Sequence, residues 1–166
     1  MKTRKLTLMA MTMAVAMILS YVESQIPPIF TAVPGIKMGL ANIAVVFALY
    51  KLGWKEAGLI SLLRVFLVSV LFSALGVMGL LYSLAGAVLS LLGMIAMKAT
   101  KLFSAVGVSV TGGVLHNVGQ IGMACLLLGT KELVYYLPFL FLSGILAGIL
   151  IGVLAAILVK RIDVKE

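Results

Sequence analysis

The chain has 166 residues, 63% of them hydrophobic and only 11% charged, with a mean hydropathy of +1.26. A soluble domain of this length carries roughly a quarter charged residues, so composition excludes a water-soluble globule and indicates an integral membrane protein. The net charge of +8 would suggest nucleic acid in a soluble chain; here lysines and arginines flanking apolar segments explain it, and no nucleic-acid partner is expected.

Long apolar runs without strand-like alternation predict an all-α, single-domain membrane bundle of six transmembrane helices, at about 6–22, 38–52, 57–75, 77–97, 105–128 and 134–159. The first follows a basic start and contains Ala14-Val15-Ala16, which mimics a signal-peptide cleavage site. Cleavage there would leave an apolar region of only about eight residues. The run continues to Val22 instead, so a retained first helix is expected. Ala10 and Ala14 form an Ala-x-x-x-Ala pair on it.

Residues 23–37, ESQIPPIFTAVPGIK, carry three of the four prolines. Pro27 and Pro28 force extended backbone, so this segment reads as a structured loop. The second apolar segment is short against the ~20 residues of a span and is expected to tilt or to borrow residues 34–37. It contains Asn42.

The third segment holds Arg64, the single charge among the forty-one residues between Glu56 and Lys98. A mid-membrane arginine costs about 2.5–3.5 kcal/mol on insertion scales. None of the five acids lies in a segment core; Glu23 and Glu56 sit at helix ends, and a folded-back loop would be needed to bring Glu23 near. Arg64 is therefore expected to meet an anionic or strongly hydrogen-bond-accepting ligand. In the fourth segment Gly79 with Ser83, and Gly86 with Ser90, repeat a four-residue spacing of small residues that favours close helix contact.

The fifth segment contains TGGVLHNVGQIG. His116 and Gln120 share a helix face, Asn117 is adjacent, and Gly112, Gly113 and Gly119 thin the wall. With Asn42 and Arg64 these polar groups fall in one depth range and make a candidate substrate site, to which Lys37 would attract a ligand electrostatically. The structural alternative is that Asn42, Asn117 and Gln120 are interhelical glue, at around 0.6 kcal/mol per bond, with His116 a satisfied core histidine. The sixth segment repeats Gly144, Gly148 and Gly152, a doubled Gly-x-x-x-Gly for which packing within the bundle is again the plainer reading.

Charge fixes the expected orientation. With the N-terminus inside, ten lysines and arginines fall on the inner side and only Lys37 and Lys131 on the outer. Both termini are expected in the cytoplasm and the protein in the cell membrane. Enzyme motifs are missing: there is no Gly-x-x-x-x-Gly-Lys-Ser/Thr loop for ATP, no His-Glu-x-x-His, and no carboxylate cluster to hold Mg²⁺ on a diphosphate. No enzyme, metal or cofactor is expected. A proton-coupled carrier normally shows an intramembrane acid, and His116 is the only alternative here.

PGIKMGLAN after a proline-containing loop, an arginine in the third segment and HNVGQ in the fifth resemble the Gx transporter family. That family is also labelled heptaprenyl diphosphate synthase component I and is similar to the substrate-binding S components of energy-coupling factor (ECF) transporters. The resemblance covers essentially the whole chain. It implies a six-helix protein capturing a micronutrient at the outer face, under a lid formed by residues 23–37, and Arg64 points to a small anionic or polar one. It implies a transmembrane coupling subunit and two ATPases as partners, the coupling subunit meeting Ala10 and Ala14. A membrane subunit of isoprenoid synthesis and a stand-alone carrier or channel are the alternatives.

Overall fold

The computed structural model describes residues 2–25, 39–72 and 76–162. Among them are six α-helices: α1 (Lys2–Gln25), α2 (Asn42–Lys51), α3 (Trp54–Phe72), α4 (Gly76–Ala99), α5 (Ala105–Leu128) and α6 (Leu137–Arg161). A short 3-10 turn, Glu132–Tyr136, leads into α6. The chain is all-helical among the described residues. Four of its helical stretches, including Gly76–Ala99 and Ala105–Leu128, are long and apolar enough to cross a membrane. The lipid-facing character is visible in side chains such as Leu6, Val70, Leu126 and Leu146, each more than half exposed.

The termini of α5 follow from local chemistry. The Ser104 hydroxyl accepts the Gly107 N–H at the N-terminus, and Gly129, with φ +65°, closes the C-terminus. Both ends coincide with the apolar segment 105–128. The second segment differs from expectation: α2 begins only at Asn42, entered by a turn in which Asn42, Ile43 and Ala44 donate to the carbonyls of Gly39, Leu40 and Ala41. At ten residues α2 is about 15 Å long, half a bilayer core. It does not face lipid as a separate span. Ala44 to Leu49 are all buried, and their neighbours are Ala16 of α1, Ala57 and Ile60 of α3, Val108 of α5 and Ala155 of α6. A helix apolar on every side belongs in the middle of a bundle, and α2 is that middle.

Helices α4, α5 and α6 pack most extensively, whereas α1 rests chiefly on α2 and α3. Glycines set the tight half. A Cβ on Gly113 would lie 2.6 Å from the Gly144 carbonyl oxygen, and one on Gly148 would lie 2.6 Å from Val110 Cα. On the other side of α5, a Cβ on Gly119 would meet the Ala85 carbonyl oxygen at 2.7 Å. The backbones of α4, α5 and α6 therefore touch directly, as small-residue membrane interfaces do.

Candidate functional site

One face of α3 is buried: Ala57, Ile60, Ser61, Arg64, Val65, Val68 and Ser69 recur at helical spacing. Arg64 is on that face and only 7% exposed. Its Nη2 donates to Asn42 Oδ1 at 3.4 Å, a long bond. Its Nε–H has no hydrogen-bond partner among the described residues. A buried guanidinium with one weak bond and one idle donor is under-satisfied for so costly a group.

α1 supplies what the sequence argument denied to Arg64. The apolar run ends at Val22, but the helix continues to Gln25, so Glu23 arrives on its last turn rather than on a folded-back loop. Residues 23–25 are thus helix and not part of a lid. Thr12, Ala16, Ser20 and Glu23 form the buried face of α1. The Glu23 carboxylate accepts the N–H of Gly39, and Glu23 lines the same cavity as Arg64, close enough for its charge to be felt there. Gly39 has φ +82°, a left-handed backbone that a side chain resists, and a Cβ there would also crowd Asn42 Nδ2 at 3.1 Å. The turn into α2 is in this way tied to both charged residues.

Ser20, Glu23, Gly39, Arg64, Val65, Val68, Ser69, Ser83 and His116 line one cavity. Counting its open mouth the space is about 360 Å³, of which only a water-sized part is enclosed. The cavity lies where the loosely packed helices α1 and α3 meet the tight α4–α5 pair. Seating anything larger than water needs side chains to shift or these two groups of helices to part.

Of the six expected substrate-site residues, Arg64, Asn42 and His116 come together. Asn117 is directed elsewhere: its Nδ2 donates to the Leu140 carbonyl of α6 at 2.7 Å, beside Gly144. One residue on from His116 is about 100° around the helix, which turns Asn117 from α4 toward α6. Asn117→Ala is accordingly expected to lower stability by about 1 kcal/mol and to leave ligand affinity unchanged; a selective loss of affinity in a titration would return Asn117 to the site. Gln120 is 2% exposed, packs against Gly86 of α4 and does not line the cavity. Neither end of its amide has a hydrogen-bond partner among the described residues. Lys37 and residues 26–37 of the expected lid lie outside the described residues. Ala10 and Ala14 are exposed on the outer face of α1, beside Leu6, Met11 and Ile18.

Glu23, Ser20, Ser69 and Ser83 are the polar cavity residues not expected there from the sequence. The usable signal was periodicity: residues 12, 16, 20 and 23 repeat the helical period straight through the end of the apolar run.

A family model described as heptaprenyl diphosphate synthase component I matches residues 12–158, a stretch that contains every cavity residue named above. The chain belongs to this family. It is the family that the PGIKMGLAN and HNVGQ motifs resemble. The match begins beyond Ala10 and includes Ala14. No curated protein and no solved structure gives a significant match to the chain. Among the described residues no group of three His, Cys, Asp or Glu side chains is placed to hold a metal ion.

Proposed function

We propose that the chain is the substrate-binding S component of an ECF-type uptake transporter in the bacterial cell membrane. It crosses the membrane with both termini in the cytoplasm and takes a small polar or anionic solute from outside. The observation that carries this reading is the Arg64 cavity: a buried guanidinium with an idle N–H, flanked by Asn42, His116 and three serines. Glu23 and Asn42 meet part of the cost of a charge so placed, and a ligand taking the idle N–H meets the rest. The chain has no nucleotide-binding loop, so energy must come from partner subunits. Ala10 and Ala14, small and exposed on α1, give a coupling subunit a surface where backbones approach closely.

The test is co-expression of the tagged chain with the coupling subunit and ATPases from the same cell, followed by uptake. The wild type is expected to copurify with all three. Arg64→Ala is expected to insert and copurify yet lose uptake, whereas Ala10→Trp keeps ligand capture and loses the complex. Normal uptake by Arg64→Ala would sink the site.

The family description favours a second reading, a membrane subunit that assists isoprenoid diphosphate synthesis. With only five acids in the chain, a carboxylate-held Mg²⁺ on a diphosphate is not to be expected within it, so the chemistry would belong to a soluble partner. Copurification of a prenyl synthase in place of ATPases would favour this reading.

A further inference from the structure

Arg64 and Glu23 line the same cavity, each about 93–94% buried, with exposures of 7% and 6%. Among the described residues these two charges give the cavity two opposite poles. A ligand bearing only an anion is drawn by the guanidinium and repelled by the carboxylate. The two effects offset each other and leave the cost of dehydrating the anion unmet. A lone cation meets the mirror image of the same problem. A solute with a carboxylate at one end and an ammonium at the other gains from both poles. Both of its charges lose water on entry, and each is then compensated by the pole that faces it.

The fixed elements support two-pole recognition. The Arg64 Nε–H, without a partner among the described residues, and the Nη2 that Asn42 holds at 3.4 Å lie on one planar fork suited to a bidentate carboxylate. Glu23 is held in place by the Gly39 N–H at the turn into α2, so its position is set before a ligand arrives. Ser20, Ser69 and Ser83 line the same space and can serve either pole, because a hydroxyl both donates and accepts.

Resting on the S-component reading of this same cavity, we propose that its substrate class is the small zwitterion, with a carboxylate on Arg64 and an ammonium toward Glu23. The net anion that Arg64 alone would suggest is disfavoured by Glu23. Only a water-sized part of the cavity is enclosed, so a small solute displaces its walls least, and an aliphatic amino acid suits it better than a fused-ring vitamin.

The experiment uses the purified full-length protein in detergent and follows thermal unfolding by the reaction of Cys125, the one cysteine, with a thiol dye. Probes are glycine, β-alanine, 4-aminobutanoate and 6-aminohexanoate, spanning several charge separations, against butanoate, butylamine and butanamide. At least one zwitterion is expected to raise the unfolding midpoint and to bind ~10-fold or more tighter than the singly charged probes, the factor expected from one favourable charge contact. Glu23→Gln is expected to invert the order, weakening the zwitterion and strengthening butanoate. Glu23→Asp is expected to retain the wild-type order. Loss of packing alone would weaken all probes together and invert nothing. Butanoate binding the wild type as well as the best zwitterion, or no probe binding, overturns the proposal. Those outcomes leave the S-component reading standing, since copurification with the coupling subunit decides that separately.

Discussion

Gly148→Leu is expected to cost at least about 3 kcal/mol of stability, the upper range for overpacking a filled interior, and to lower ligand capture with it. A Cβ at Gly148 would sit 2.6 Å from Val110 Cα and 3.1 Å from Val110 N. Those are backbone atoms of α5, so no side-chain rotation relieves the clash, and α6 must move away from α5. Gly144 and Gly152 line the same seam, with Gly113 and Val106 opposite them, so the displacement spreads along both helices. His116 lies three residues beyond Gly113 on α5, and Gly119 fixes the other side of that helix against Ala85 and Gly86. Separating α5 from α6 therefore moves a cavity residue as well as the packing. Gly122→Ala is the control. It is on α5, the helix across the seam, with nothing within 4 Å of the added carbon, and should be neutral or stabilising by up to ~1 kcal/mol. Denaturant titration read by Cys125 reactivity checks both. Equal stability of Gly148→Leu and wild type would show that the seam has slack.

The seam was legible in the sequence because glycine spacing on a membrane helix has few other uses. So was α5, since Ser104 and Gly129 are strong start and stop signals at the ends of an apolar run. Arg64 stood out by its charge alone, and Asn42 and His116 fell at its depth. Glu23 was missed because apolar runs mark what lipid touches, whereas helices end where backbone bonding ends. Inside the bundle α1 can carry a carboxylate one residue past Val22 without exposing it to hydrocarbon. The short α2 misled for the related reason that hydropathy cannot separate a helix surrounded by protein from one surrounded by lipid. Asn117 and Gln120 required the faces of α5 to be assigned to particular neighbours. Only the packing of α4 and α6 against α5 makes that assignment.

Arg64→Met is expected to cost more stability than Arg64→Met combined with Glu23→Gln. In the single variant the Glu23 carboxylate stays buried, held by the Gly39 N–H but without the positive charge that acts with it. Removing both charges leaves no uncompensated ion, as when a buried pair is replaced by neutral residues. The coupling in this double-mutant cycle should be about 1–3 kcal/mol, the range for residues within one network. Capture is expected to separate from stability: the double variant regains much of the stability and none of the binding, because the carboxylate-binding fork is gone. That pattern assigns Arg64 to the ligand. If binding returns with stability, Arg64 serves only to neutralise Glu23, and the ligand is held by Asn42, His116 and the serines. Absence of coupling would mean that the two charges are screened from each other by water in the cavity, and the two-pole site would fail on physical grounds before any ligand is tested.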